Sequence, residues 1–94
     1  MLRLRGAFLR RRMRKPIHSD AHTRLLALLR QTRQDAGLTQ QALADRLGKP
    51  QSFVAKYEGG ERRLDVIEFI AIVRALGADP ARLIADLEGR GPTA

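Results

Sequence analysis

The chain has 94 residues, of which 18 are basic and 10 acidic, so its net charge at neutral pH is +8. This length allows one small domain, and the absence of cysteine excludes a disulfide framework and a cysteine-ligated zinc site. No apolar stretch is long enough to span a bilayer, and no long apolar core follows the basic start, as a secretory signal would require. We therefore expect a cytoplasmic protein.

The first 18 residues carry seven of the basic side chains and no acidic one, whereas the remainder has 11 basic and 10 acidic residues. Dense like charge, with Gly6 and Pro16, disfavours packing, so we predict a basic arm over residues 1–18 that is flexible or partly helical. Three interpretations stay open: a solvated extension, an arm that binds DNA phosphates and a helix on a membrane surface. Met13 also permits a native chain that lacks residues 1–12.

Helix start and stop signals predict five helices over residues 19–88, which we expect to form one compact all-α domain, followed by a frayed end over residues 89–94. Hydroxyl or carboxylate caps and glycine or proline breaks mark their ends. The expected bounds in chain order are Ser19 or Asp20 to Ala36, Gln40 to Leu47, Pro50 to Glu58, the Asp65 cap to Leu76, and the Asp79 cap to Leu87.

The second and third helices are predicted to form a rigid corner. Leu43 and Leu47 lie four residues apart and share one face, and Ala44 between them leaves room for a crossing helix. Gly48 follows the last apolar residue, as a left-handed helix end requires. A tight corner of this kind can present its second helix to the major groove of DNA.

The third helix is expected to turn Val54 and Tyr57 toward the second helix. Its outer side then carries an amide, a hydroxyl, a small apolar group and a cation, which suit the donors, acceptors and thymine methyls of the major groove. These outward residues are Gln51, Ser52, Ala55 and Lys56.

The fourth helix has more apolar residues than one buried stripe needs. We predict that its core face consists of Val66, Phe69, Ile70, Val73 and Leu76. Ile67 and Ile72 are then the residues least needed for the core. Together with Leu87 they form either a partner surface or the edge of the core.

The chain resembles the phage repressor, Cro and Xre helix-turn-helix family from about Leu25 to Leu87. The matching segments are RQDAGLTQQALADRLG, PQSFVAKYEGGERR and FIAIVRALGADPARL. The resemblance implies a five-helix repressor-like domain in which the third helix reads DNA. Two positions depart from the family pattern: Lys49 stands where an apolar residue is usual, and Phe53 where a small hydroxyl residue is usual.

The proposed DNA contacts rest partly on this resemblance. Gln51 is the first candidate for a base contact, since its amide can donate to and accept from adenine. Ser52 suits a base or a phosphate, Ala55 a thymine methyl, and Lys56 a guanine or the backbone. Gln40 occupies the family position that bonds a phosphate. The other basic residues that flank the reading helix are Lys49, Arg62 and Arg63.

In proteins of the family, the residues matching Arg33 and Glu58 pair between the ends of the first and third helices. The resemblance therefore implies a structural ion pair here, with a direct DNA role for Arg33 as the alternative. Breaking such a partly buried pair would cost on the order of 3–5 kcal/mol.

Other candidate sites are weak. His18 and His22 could share a helix face and hold a metal, but no third ligand lies nearby, so we predict no metal site. Asp65 and Glu68 are explained by a helix cap and a solvated face. No nucleophile–base set or phosphate-binding glycine loop is present, so we predict neither an enzyme nor a cofactor.

The leading prediction is a transcriptional regulator that binds specific sequences of double-stranded DNA, most simply a repressor that acts as a homodimer on operator half-sites. The alternative is a protein-interaction module, such as an antitoxin that binds a toxin, with DNA contact secondary. No membrane partner is expected.

Overall fold

Five α-helices follow one another through residues 19–89, the part of the chain that the computed structural model describes. They are listed here in chain order: α1 (Asp20–Asp35), α2 (Gln40–Leu47), α3 (Gln51–Glu58), α4 (Val66–Ala75) and α5 (Pro80–Leu87). No strand occurs within the described range, and the predicted all-α fold is confirmed. The predictions for the arm, for His18 and for residues 90–94 lie outside the described residues.

Side-chain caps begin four of the five helices. The hydroxyls of Ser19 and Thr39 and the carboxylates of Asp65 and Asp79 accept backbone N–H bonds from the first turns of α1, α2, α4 and α5. In contrast, α3 has no side-chain cap, and Pro50 precedes it with an extended ψ of 155°. The helix therefore begins one residue later than predicted.

The turn between α2 and α3 depends on Gly48, which has a φ of 68° and lies in the left-handed region. The next amide, that of Lys49, donates to the carbonyl of Ala44 at 3.0 Å, which satisfies an end carbonyl of α2. Glycine adopts this conformation without the steric cost that a Cβ would impose. The predicted tight corner is thus built by local backbone geometry.

One hydrophobic core joins all five helices. Helix α1 packs against α3 and α5, while α4 packs against α2 and α5. Ten apolar residues of this core are completely or almost completely buried. They are Leu29, Leu43, Ala44, Val54, Tyr57, Phe69, Ile72, Val73, Leu76 and Leu83.

The predicted core face of α4 was partly wrong. Val66 and Ile70 are 68% and 38% exposed, whereas Ile72, which was assigned to a partner surface or the core edge, is only 1% exposed. The buried stripe runs through Phe69, Ile72, Val73 and Leu76, which keeps the helical spacing but is rotated toward Ile72. The predicted and the observed apolar stripes both have helical periodicity, so the packing of α4 against α2 and α5 determines which of them is buried.

Candidate nucleic-acid interface

The two faces of α3 have opposite character. Val54 and Tyr57 are fully buried and attach the helix to the core. On the outer side, Gln51, Ser52 and Lys56 are exposed, and Ala55 is half-buried. The predicted outward residues therefore share one side of α3, and three of the four are accessible to a large ligand.

Glu58, at the end of α3, is held by Arg33 of α1. The guanidinium donates from Nε to Oε2 at 2.7 Å and from Nη2 to Oε1 at 3.0 Å. Its Nη1 also donates to the carbonyl of Leu38 at 2.8 Å. A paired fork of this kind fixes both distance and orientation, so α3 is tied to the end of α1 and to the loop that follows it.

The carboxylate of Glu58 is almost fully buried, with a side chain that is 1% exposed. Burial raises the pKa of Glu58, but hydrogen bonds from Arg33 and Gln40 and the positive charges of Arg33 and Arg30 outweigh it, so the pKa lies below its ordinary value. The hydrogen bond to Glu58 in turn raises the pKa of Arg33, against the effect of burial. Both groups are therefore charged at neutral pH.

Gln40 and Gln51 extend this contact to the outer face of α3. Gln40 donates from Nε2 to Glu58 Oε1 at 2.9 Å, and Gln51 donates from Nε2 to Gln40 Oε1 at 2.8 Å. The sequence had suggested a phosphate contact for Gln40 and a base contact for Gln51, without a link between them. In the structure, the two amides and the buried carboxylate form a single Glu58–Gln40–Gln51 hydrogen-bond chain.

The two residues that depart from the family pattern come together beside α3. Lys49 Nζ lies 5.4 Å from the centroid of the Phe53 ring, and the Arg62 guanidinium carbon lies 4.8 Å from it. The ring also makes an edge contact with Tyr57 at 5.6 Å. Cations are attracted to aromatic faces at these distances. Phe53 is therefore a platform for two cations.

An open groove runs along this platform. Its lining residues are Lys49, Pro50, Ser52, Phe53, Lys56, Glu61 and Arg62. The three cations of this concave surface outnumber its one carboxylate, that of Glu61, and together with the hydroxyl of Ser52 they suit an anionic backbone. Arg63 is exposed on the adjoining loop. The structure thus brings most of the predicted basic residues to the side of α3 that carries Ser52 and Lys56.

Arg62 is, however, engaged with Glu68 of α4. Its Nη1 and Nη2 donate to the two carboxylate oxygens at 3.0 and 2.8 Å. Hydrogen bonds from Arg62 and from the backbone of Asp65 lower the pKa of Glu68 to about 2. Sequence analysis explained Asp65 and Glu68 by a helix cap and a solvated face and did not predict the contact with Arg62. The spacing of Asp65 and Glu68 matches a capping box, a signal that would have placed this carboxylate at the start of α4.

Comparison with known proteins agrees with this fold. A family model described as a helix-turn-helix domain matches residues 24–85. Among solved structures, an XRE-family like protein from Pseudomonas syringae pv. tomato str. DC3000 is 51% identical in sequence, and the match covers 86% of this chain and 99% of that chain with a TM-score of 0.77. A comparison with curated proteins gives no significant match. The chain therefore belongs to the Xre-type helix-turn-helix family of DNA-binding regulators.

Proposed function

We propose that the protein binds specific sequences of double-stranded DNA and represses transcription, acting as a homodimer on operator half-sites. The observation that carries this proposal is the exposed side of α3, where Gln51, Ser52 and Lys56 project from a helix whose other side is buried. Because that helix is also tied by Glu58 to Arg33, the side that carries these groups has a fixed orientation relative to the core before DNA arrives.

Each outward group has a natural counterpart in the major groove. Gln51 would pair with adenine, Ala55 would contact a thymine methyl, and Lys56 would reach guanine or the backbone. Ser52 would serve a base or a phosphate. One helix of eight residues covers only a few base pairs, so two copies on half-sites one helical turn apart would supply useful specificity. Repression would then follow from occupation of a promoter.

Phosphate contacts would come from the groove beside α3 and from the start of α2. Lys49 and Lys56 line that groove, and Gln40 lies at the first position of α2, where backbone N–H groups also point outward. Arg62 and Arg63 would extend the basic surface along the following loop. Since Glu68 neutralises Arg62, Arg62 would contribute fully only after exchanging that partner for a phosphate.

A second candidate function is a protein-interaction module, such as an antitoxin that binds a toxin, with DNA contact secondary. Exposed apolar side chains favour it, because isolated examples are normal on a surface but several on neighbouring helices suit a protein partner. The large exposed apolar residues in the described range are Val66, Ile67 and Ile70 on α4 and Ile84 on α5.

The test begins with selection of bound sequences from a random pool of DNA duplexes, performed with the full chain and with a chain lacking residues 1–12. The selected duplex is then titrated by fluorescence anisotropy at increasing salt. DNA binding predicts a steep fall in affinity, because each phosphate contact releases counterions. Enrichment of no sequence would overturn the proposal.

Substitutions locate the contacts on α3. Gln51→Ala is expected to weaken binding to the selected duplex by roughly 1–3 kcal/mol and to relax one base position, whereas Lys56→Ala should reduce the salt slope by about one. Gln34→Ala, an exposed glutamine of α1, and Arg82→Ala, an exposed arginine of α5, are the matched controls. If Gln51→Ala impairs capture of a protein partner but leaves DNA binding intact, the interaction module is the correct function.

A further inference from the structure

The ring of Phe53 brings together two cations that lie far apart in the sequence. Lys49 belongs to the turn before α3 and Arg62 to the loop after it. Lys49 Nζ lies 5.4 Å and the Arg62 guanidinium carbon 4.8 Å from the centroid of this ring, and among the described residues these are the cations that lie against it. Like charges repel each other. Attraction to a shared aromatic ring helps to offset the cost of placing the two side by side.

The ring itself is held by the core. Phe53 is half-buried and packs against the hydrophobic core. Its edge contact with the fully buried Tyr57 has an interplanar angle of 70°. The long side chains of lysine and arginine lose much rotamer freedom when they are immobilised, and a ring fixed in this way restricts them in the free protein. Phe53 therefore orders two flexible cations before any ligand is present.

An internal anion lies beside these cations. Arg62 donates to both carboxylate oxygens of Glu68, at 3.0 and 2.8 Å. Hydrogen bonds from Arg62 and from the backbone of Asp65 lower the pKa of Glu68, and the charge of Lys49 lowers it further. One carboxylate thus interacts with both cations. A phosphate offers the same pair of oxygens to an arginine fork, so it can take the place of this carboxylate.

We propose that Phe53 is a positioning residue for phosphate binding, which holds Lys49 and Arg62 together so that both bind one phosphate of the DNA backbone. A phenyl ring donates no hydrogen bond, so its role is exerted through the two cations. On binding, the phosphate replaces the carboxylate of Glu68 as the partner of Arg62. This inference rests on the proposed function and adds to it a contact that is independent of base sequence.

The test is a double-mutant cycle measured as dissociation constants on the selected duplex. Phe53→Leu keeps an apolar side chain at this position and removes the aromatic face. Lys49→Met removes one of the two cations and keeps a long unbranched side chain. The matched control for the second change is Lys56→Met, because Lys56 lines the same groove but lies on the outer side of α3 rather than against the ring.

We expect Phe53→Leu to weaken binding by about three- to tenfold, because Lys49 and Arg62 must then be immobilised at the moment that DNA binds. The same change should have a smaller effect in a Lys49→Met protein, whereas in a Lys56→Met protein its effect should equal that in the parent. Equal effects of Phe53→Leu in all three backgrounds would overturn the inference, because the ring would then act independently of Lys49.

Base preference separates this inference from the proposed base contacts. Phe53→Leu should weaken binding equally on four duplexes that differ only at the position relaxed by Gln51→Ala, because a phosphate contact carries no sequence information. A changed base preference would overturn the inference, since Phe53 would then act on the reading residues of α3. If selection enriches no sequence, the proposed function fails, and the same cycle on a duplex of arbitrary sequence still tests the phosphate site.

The site can also be tested with the ring in place. Lys49→Met should lower the salt slope by about one, because one phosphate contact is lost. In the protein without DNA, the ring current of Phe53 should place the side-chain CH2 proton signals of Lys49 at higher field than those of Lys56. An unchanged salt slope in Lys49→Met would overturn the inference even if circular dichroism shows that Phe53→Leu fails to fold.

Discussion

Two arginine–glutamate pairs of similar geometry lie in different surroundings in this molecule. Arg33 and Glu58 meet at 2.7 Å with side chains that are 11% and 1% exposed, whereas Arg62 and Glu68 meet at 2.8 Å with side chains that are 40% and 23% exposed. Solvent and salt screen the exposed Arg62–Glu68 pair. Loss of one partner of the buried Arg33–Glu58 pair would instead leave a buried charge uncompensated. Geometry alone therefore does not rank the two pairs.

The pairs also differ in what they connect. Arg33 and Glu58 are 25 residues apart and join two helices, whereas Arg62 and Glu68 are six residues apart and order a loop at the start of α4. The buried pair supports the attachment of α3, and the exposed pair holds Arg62, one of the cations that line the groove. We expect the first to govern stability and the second to adjust affinity for DNA.

The largest expected effect is that of Glu58→Ala, which should lower the free energy of unfolding by about 3–5 kcal/mol, because it leaves Arg33 partly buried without its carboxylate. Urea denaturation followed by circular dichroism measures the change. Glu61→Ala removes an exposed glutamate nearby and should stay within about 0.5 kcal/mol of the parent. A Glu58→Ala protein as stable as the parent would contradict the structural role of the pair.

The next largest expected effect is on the pH dependence of stability, which should distinguish the two pairs. The folded-state pKa of each glutamate lies below the ordinary value of 4.5, so the unfolded chain takes up these protons first as pH falls. Stability from both pairs is therefore complete above about pH 5 and declines as the pH falls below 4.5 toward the lowered values. Denaturation at pH 7 and at pH 3 measures how much the free energy of unfolding falls between the two pH values. We expect this fall to be smaller in Glu58→Gln than in the parent, both in low and in high salt.

For Glu68→Gln, the acid-induced fall in the free energy of unfolding should be smaller than in the parent in low salt. This difference from the parent should largely disappear in 1 M salt, since exposed charges are screened. A salt-insensitive difference for Glu68→Gln, or a salt-sensitive one for Glu58→Gln, would reverse the assignment of the buried and the exposed pair.

Two smaller effects are expected for Glu68→Ala: a lower stability and a higher affinity for DNA. Loss of the carboxylate should slightly lower the melting temperature, because Asp65 loses one half of its capping box. The same change releases Arg62, so affinity for the selected duplex should rise and the salt slope should steepen by about one phosphate contact. Asp35→Ala also removes one exposed negative charge but releases no groove arginine. An equal gain in Asp35→Ala would assign the effect to net charge.

The smallest effect concerns the neighbour of Glu58. The hydroxyl of Tyr57 is buried and has no hydrogen-bond partner among the described residues. Burial and then the charge of Glu58 raise the pKa of Tyr57, so the hydroxyl stays neutral. Tyr57→Phe should change the free energy of unfolding by less than about 1 kcal/mol and can increase it, since no bond is lost. A clear loss in thermal denaturation would indicate an ordered water at this hydroxyl.

Sequence reasoning was most successful where signals act within one helical turn. Thr39 and Gly48 marked both ends of α2, and Asp65 marked the start of α4, because a cap bonds to backbone groups only two or three residues away. It was less successful for α4, where Ile70 and Ile72 are equally apolar. Periodicity describes a stripe but does not say which neighbouring helices will cover it.

The amino-acid sequence by itself determined the five helices, the tight corner between α2 and α3, and the resemblance that identifies the family. Tertiary structure alone decided that Gln40 lies between Glu58 and Gln51, and that Phe53 lies beneath Lys49 and Arg62. The physical reason is range: caps and turns are satisfied by neighbouring backbone, while these contacts exist only once separate helices are packed. What distinguishes this surface from any other exposed helix is therefore set by packing.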